Sequence, residues 1–377
     1  MLGAMELATA LGQEKAPAGA SPDSARRPGG PGMLKPEPFP EAKEIATPRN
    51  ETELAEAIKN LGDKVAAAGR FSGSVLVAVD GKPLVEKAWG MADRARKIAN
   101  TTETAFDIGS LGKLFTQIAI LQLVEAGKLS LDEFFGKYLP DYPNTEIANK
   151  VTLRQLLQHT SGMGDFADPA TREAKAGSLR TVKDFVPLFA NEPLAFAPGS
   201  QMKYSNAGYM VLGRVIEAVT GQDYSLYIEQ HVLEPAGMKH SGFFDRGKLP
   251  PTVARSYDDE ADVTGKHPVR GSPAGGLHAS AGDLLRLRQA IDAGKLVGQE
   301  SVKVLRDLVP RPPNSPQPVD PGKFAAYGIA GGAPGVSAQL NIDPTGRYTR
   351  IVLCNGSPPM ASSMASTIGD WVKQLPR

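Results

Sequence analysis

The sequence predicts an α/β (α+β) fold. One antiparallel sheet is built from both chain termini and flanked by helices, and a mostly helical domain is inserted between them. Near the N-terminus, a D-G turn separates the apolar runs 74–79 and 83–89, as in a β-hairpin. A second pair of runs, 336–342 and 348–354, lies near the C-terminus. Between the two pairs, apolar residues recur with a helical period.

The remaining elements follow in chain order. Residues 1–48 are rich in Pro, Gly, Ala and charge without any period, which predicts a flexible leader. A strong apolar stripe runs from Leu111 to Val124 and ends at Gly127, which predicts a core helix. Other helices are predicted over 51–68, 151–157, 182–189, 209–219 and 362–374. The predicted domains are therefore the leader, an α/β sheet domain over 49–106 and 265–377, and a helical domain over 107–264, with a cleft between the last two.

Composition excludes several classes of function. Lys and Arg number 42 against 41 Asp and Glu, so nucleic acid is not an expected partner. The single cysteine, Cys354, forbids an intramolecular disulfide, and the five histidines lack metal-ligand spacing, so no metal or other cofactor is expected. No apolar run is long enough for a membrane span, and no secretory signal opens the chain. The chain as given is expected in the cytoplasm; a periplasmic or secreted location would require that a leader had been removed.

Ser110 and Lys113 give the first indication of chemistry. On a helix, residues three apart share one face with Cβ atoms about 5–6 Å apart. An amine at that spacing can accept the proton of a serine that attacks an acyl carbon. The apolar stripe that begins at Leu111 places both residues at the start of a core helix.

Two later segments can complete such a site. Tyr204 precedes a predicted helix and is a second candidate base, with Asn206 two residues further on. The glycine-dense segment 327–335 leads into a strand, so its amides can approach a ligand closely. The N–H of Gly332 is a candidate oxyanion donor. The ordinary pKa values of Lys and Tyr, about 10.4 and 10, leave open which group is the base.

These segments, in this order, resemble the serine β-lactamase and penicillin-recognising superfamily, and most closely its class C-like branch of family VIII carboxylesterases and related hydrolases. Ser110-Leu111-Gly112-Lys113 is similar to that family's S-x-x-K, Tyr204-Ser205-Asn206 to its Y-x-N, and 328–335 to its third, glycine-rich motif. Residues 156–163 resemble its H-T-S-G turn, and 273–277 the segment before a late helix. The similarity covers about residues 50–375 and implies a β-lactamase-like fold and a serine hydrolase.

One position departs from the family pattern. The third motif usually opens with Lys or His, whereas this chain has Ile329, which cannot pair with a substrate carboxylate. The resemblance therefore implies hydrolysis of neutral esters with short- to medium-chain acyl groups. It also implies an acyl-enzyme on Ser110 and an oxyanion held by the amides of Ser110 and Gly332. Asn206, Ile329 and Gly331 are then substrate-binding or orienting residues, and Asn206 orients either Lys113 or a substrate carbonyl.

Other functions are weighed against this interpretation. A β-lactamase or D-amino-acid peptidase and an acyltransferase share the machinery, and a non-catalytic binding protein is the alternative from another class. A Ser-His-Asp hydrolase could use His159 and Asp165, but no G-x-S-x-G motif occurs. Walker-type nucleotide binding is excluded, because no Gly-Lys pair is followed by Ser or Thr. The physiological substrate and the oligomeric state are not predicted.

Overall fold

The computed structural model describes residues 36–308 and 328–376. The predicted leader over 1–48 lies mostly outside the described residues. Its last part contains a short 3-10 helix, Pro40–Glu44, and the buried Phe39 packs against the first long helix and the sheet. The packed part of the chain thus begins upstream of the predicted boundary at residue 49.

The N-terminal elements form the first half of the sheet. Helix α1 (Glu51–Ala67) is capped by Asn50, whose side chain accepts the N–H of Glu53. Strands β1 (Gly73–Val79) and β2 (Lys82–Trp89) are joined by two residues with positive φ, 49° and 77°. These angles belong to the type I′ turn that a D-G pair favours, which confirms the predicted hairpin. The short strands β3 (Met91–Asp93), β4 (Ile98–Ala99) and β5 (Phe106–Asp107) follow.

The middle of the chain is mostly helical. Helix α2 (Lys113–Glu125) is buried on every side over its first nine residues, so the predicted one-sided stripe is too narrow a description. The predicted helices at 151–157, 182–189 and 209–219 correspond to helices at Leu153–Leu157, Val182–Phe185 and Asn206–Thr220. The remaining elements are α3 (Thr145–Ala148), α4 (Leu153–Leu157), α5 (Pro169–Lys175), α6 (Val182–Phe185), α7 (Asn206–Thr220), α8 (Tyr224–Ile228), α9 (Glu234–Ala236), β6 (Tyr257–Asp258), β7 (Ala261–Asp262), β8 (His278–Ala279), α10 (Ala281–Asp292) and α11 (Gln299–Leu308).

The C-terminal elements complete the sheet. Strands β9 (Ile329–Ala333), β10 (Val336–Ile342) and β11 (Tyr348–Cys354) precede helix α12 (Met360–Gln374). The strand order is β2-β1-β11-β10-β9, with every neighbouring pair antiparallel. Both chain ends therefore contribute to one sheet, as predicted.

Two hydrophobic layers enclose this sheet. Val75 and Val77 of β1 face α1 and α12, whereas Leu76 and Ala78 belong to the larger core that contains α2 and α10. This is the alternation that strand geometry imposes. Strand β9 lies at the sheet edge, in contact with the turn that carries Ser110. None of the described helices combines the length and apolarity needed to cross a bilayer.

Candidate active site

Glycine backbones hold the turn that carries Ser110. It is a 3-10 helix, Gly109–Gly112, so Ser110 precedes α2 and does not lie within it. Gly109 has a positive φ of 50°. A side chain on Gly331 of β9 would place its Cβ 1.8 Å from the carbonyl oxygen of Ile108. Only a residue without a side chain permits this approach, so Gly331 brings the sheet edge against the serine turn.

The three predicted catalytic side chains meet at the Ser110 hydroxyl. The phenol of Tyr204 donates a hydrogen bond to Ser110 Oγ at 2.6 Å. The amine nitrogen of Lys113 lies 3.3 Å from the same oxygen. Ser110 is partly exposed, whereas Lys113 is 5% exposed. A substrate can therefore reach the hydroxyl while solvent is kept from the amine.

The surroundings of Lys113 orient its amine. Lys113 Nζ donates to Asn206 Oδ1 at 2.7 Å and to the carbonyl oxygen of Ala274. A neutral amine has two N–H groups, and these two acceptors take both, so the lone pair remains for the Ser110 hydroxyl. Burial lowers the pKa of Lys113 to about 7, against the opposing effect of the Asp165 carboxylate. A substantial fraction of the amine is thus neutral at neutral pH.

The pKa of the Tyr204 phenol is shifted in the opposite direction to that of the Lys113 amine. Burial raises the pKa of its phenol to about 12, although the hydrogen bond to Ser110 lowers it. The phenol therefore keeps its proton at neutral pH and can act as a donor. Its ring stacks on the imidazole of His159, with centroids 4.6 Å apart and planes at 27°. The environment thus favours Lys113 as proton acceptor and Tyr204 as proton donor, which the ordinary pKa values left open.

His159 and Asp165 do not form a Ser-His-Asp chain with Ser110. The Nδ1 atom of His159 accepts the backbone N–H of Ser205 at 3.1 Å, and burial lowers the pKa of the imidazole to about 3. The carboxylate of Asp165 instead accepts from Asn206 Nδ2 at 3.1 Å. The two residues support the Y-x-N segment, and the sequence alone gave Asp165 no such partner.

The amide nitrogen of Gly332 lies close to the turn that carries Ser110. The two-residue turn between β9 and β10 closes on the pair Ala333 and Val336, so the next residue, Gly332, lies in a non-hydrogen-bonded pair. Its N–H then points away from β10, beyond the sheet edge. A Cβ on Gly109 would lie 2.9 Å from this nitrogen. The Gly332 amide therefore lies beside the turn that contains the Ser110 amide, the other predicted oxyanion donor.

Ile329 lies on the same face of β9 as Gly331, because side chains alternate along a strand. It is partly buried and packs against the large hydrophobic core. This position brings an apolar side chain, with no hydrogen-bond donor, to the strand that borders the serine turn.

A buried ion pair supports the serine turn, and the sequence did not predict it. Asp107 accepts the backbone N–H of Gly109 at 2.8 Å and pairs with Arg246. Arg246 also donates to the carbonyl oxygen of Gly276 at 3.1 Å. Burial alone would raise the pKa of Asp107, but the guanidinium holds it well below its usual range. Asp107 is close to Ser110 in sequence, yet its partner is 139 residues away.

Cys354 is buried between the sheet and α12, as its apolar surroundings in the sequence predicted.

Across residues 36–308 and 328–376, no three His, Cys, Asp or Glu side chains are grouped so that they could hold a metal ion.

The chain is similar to known proteins over most of its length. A family model described as Beta-lactamase matches residues 54–370. A putative penicillin-binding protein, PbpX, of Bacillus subtilis (strain 168) is 28% identical over 323 residues, which are 83% of this chain and 76% of that protein. The crystal structure of a penicillin-binding protein from Bacillus halodurans is 32% identical, with a TM-score of 0.71. That match covers 82% of this chain and 99% of the other.

A putative D-alanyl-D-alanine carboxypeptidase of Salmonella agona (strain SL483) is 33% identical over 205 residues. These residues are 50% of this chain and 47% of that protein. The chain thus spans about half the length of this relative.

Proposed function

Since the chain belongs to the Beta-lactamase family of serine hydrolases, we propose that it hydrolyses neutral carboxylic esters with short- to medium-chain acyl groups through an acyl-enzyme on Ser110. The observation that carries the proposal is the position of the Ser110 hydroxyl, 3.3 Å from the Lys113 amine and 2.6 Å from the Tyr204 phenol. The preference for neutral esters rests on Ile329.

Acylation begins when the neutral Lys113 amine accepts the Ser110 proton as Oγ bonds to the ester carbonyl carbon. The carbonyl oxygen becomes an oxyanion and accepts hydrogen bonds from the amides of Ser110 and Gly332. When the tetrahedral intermediate collapses, the alcohol leaves with the proton of Tyr204. The Lys113 ammonium then returns a proton to the phenolate, so the site regains its starting charge.

Deacylation repeats these roles with water. Lys113 accepts a proton from the water that attacks the acyl-enzyme, and the intermediate collapses as Ser110 Oγ leaves with the proton of Tyr204. The Lys113 ammonium then returns a proton to the phenolate. An acyltransferase would use an added alcohol in place of water. Formation of butyryl esters in the presence of added butanol, at the expense of butyrate, would favour that alternative.

Peptidase activity on D-amino-acid substrates is a second candidate function. It is favoured by relatives named as a penicillin-binding protein and a D-alanyl-D-alanine carboxypeptidase, at 32% and 33% identity. Substrates of that class have a free carboxylate, and Ile329 offers it no hydrogen bond or charge. Turnover of p-nitrophenyl butyrate, nitrocefin and a D-alanyl-D-alanine peptide by the same preparation tests the two functions. Faster turnover of the two carboxylate substrates would contradict the proposed ester preference.

Ile329→Lys is expected to raise kcat/KM for nitrocefin relative to p-nitrophenyl butyrate by about tenfold or more, because an ammonium can form a charge-assisted hydrogen bond to the carboxylate. Steady-state rates with both substrates give the ratio. Ile329→Met keeps an apolar side chain and serves as the control, with a ratio close to that of the wild type. An unchanged ratio in the lysine variant would show that Ile329 does not set the preference.

Tyr204→Phe is expected to reduce turnover most for esters with poor leaving groups. For an alkyl butyrate the loss should be about 10²- to 10⁴-fold, because the departing alkoxide needs the phenol proton. The loss should be much smaller for p-nitrophenyl butyrate, whose product leaves as a stable anion. Rates for both esters, measured with wild type and variant, check this difference. Equal losses would remove Tyr204 as the donor to the leaving group.

A further inference from the structure

Asp165 has no hydrogen bond to Ser110 or Lys113 among the described residues, but it forms one with Asn206, which contacts Lys113. Its Oδ1 atom accepts from Asn206 Nδ2 at 3.1 Å and from the backbone N–H of Phe166 at 2.8 Å. Its other carboxylate oxygen faces Arg172, with Oδ2 and Nη1 3.6 Å apart. Both Asp165 and Arg172 are partly exposed. The neighbouring backbone is fixed, because the carbonyl oxygen of Gly164 accepts from Ser205 Oγ at 2.8 Å.

An ionised carboxylate accepts hydrogen bonds and donates none. Asp165 therefore requires Asn206 to turn its NH₂ group outward and its Oδ1 toward Lys113. A flipped Asn206 would instead present an N–H to the amine. The lone pair of neutral Lys113 would then accept from Asn206 and be lost to Ser110.

We propose that Asp165 is a positioning residue, which acts through the Asn206 amide to keep the lone pair of Lys113 directed at Ser110. The proposal rests on the proposed function, because it concerns the base of that reaction. The carboxylate has a second effect through its charge, since it favours the ammonium form of Lys113 and so opposes the lowering by burial. The other titratable groups around the amine are Tyr204 and Tyr209, whose rings it faces at 4.8 and 5.2 Å, and the neutral His159.

Asp165→Asn tests the proposal, because it keeps the size of the side chain but removes the charge and can donate as well as accept. It is expected to lower kcat for p-nitrophenyl butyrate by about 10- to 100-fold with little change in KM, since the base is misaligned while substrate contacts remain. The acid limb is the part of the pH profile in which kcat/KM rises with pH as Lys113 loses its proton. It should move to lower pH by about one unit, because the ammonium loses a neighbouring negative charge. A merely structural role would lower the rate without moving this limb.

Asp168→Asn is the matched control. Asp168 lies on the same loop and caps α5, where it accepts the N–H of Thr171 at 3.0 Å. This control should leave both kcat and the acid limb unchanged. Asp165→Glu keeps an acceptor-only carboxylate and should retain the wild-type limb. A limb displaced equally in Asp168→Asn, or displaced in Asp165→Glu as far as in Asp165→Asn, would overturn the proposal.

The pKa of Lys113 is also measurable without turnover, by NMR titration of protein labelled with ¹³C at lysine Cε. The signal is assigned by its loss in Lys113→Met. A lower pKa in Asp165→Asn than in the wild type supports the proposal, and an unchanged pKa overturns it. If the wild type failed to hydrolyse esters but this shift were present, the proposed substrate would be wrong and the effect of Asp165 on Lys113 would stand.

Discussion

Ser110→Ala is expected to lower kcat for p-nitrophenyl butyrate by about 10⁴-fold or more, because the proposed acyl-enzyme forms on Ser110 and members of a catalytic unit fail together. Among the described residues, the Ser110 hydroxyl forms hydrogen bonds only with the Tyr204 phenol and the Lys113 amine, so the substitution should leave the fold unaffected. Release of p-nitrophenol at neutral pH gives the rate, and thermal melting gives the stability.

Two further measurements make this result specific. A fluorophosphonate probe, which modifies activated serines irrespective of the substrate, should label the wild type and leave Ser110→Ala unlabelled. Ser178→Ala is the control, since Ser178 is exposed and, within residues 36–308 and 328–376, its hydroxyl donates only to the carbonyl oxygen of Lys175. It should match the wild type in both assays. Equal turnover or labelling of Ser110→Ala and the wild type would remove Ser110 as the nucleophile.

Lys113→Met is expected to lower kcat/KM by about 10²- to 10⁴-fold, the range for loss of a general base. In the wild type, kcat/KM should rise with pH through an apparent pKa near 7, because only the neutral amine has a lone pair and burial lowers the pKa of Lys113 to about 7. Below that pH the ammonium cannot accept the Ser110 proton. In Lys113→Met this acid limb should be absent. Rates of p-nitrophenyl butyrate hydrolysis from pH 5 to 9 check both expectations.

The same profile separates the two candidate bases. If tyrosinate were the base, activity would rise toward pH 12, because burial raises the pKa of Tyr204 to about 12. Lys128→Met, at an exposed lysine, is the control and should retain the wild-type profile. An acid limb that persisted in Lys113→Met would show that another group titrates, and Lys113 would then not be the base.

The parts of the fold that the sequence predicted well have local causes. The D-G hairpin follows from the left-handed conformations that Asp80 and Gly81 adopt. The helix that contains Tyr209 follows from its apolar period, and the structure adds the Ser205 cap at its start. The motifs around Ser110, Tyr204 and the glycine-rich strand can likewise be recognised in the sequence, because each motif occupies a few consecutive residues.

Other features depended on contacts between distant residues. Lys113 meets Asn206 across 93 positions and Ala274 across 161, and no local pattern pairs them. The base could not be chosen from sequence, because Lys and Tyr have similar ordinary pKa values and burial shifts them in opposite directions. Asp165 likewise meets Asn206 across 41 positions, and no local pattern pairs these two residues.

The sequence by itself therefore determined which chemical groups are present, the type of most elements and the family to which the chain belongs. Only the tertiary structure decided how those groups act together. Close backbone approach at Gly331 and exclusion of water from Lys113 are properties of the packed chain. Packing sets the distances and the desolvation on which the proposed reactivity of Ser110 depends, and neither quantity is encoded in a short run of residues.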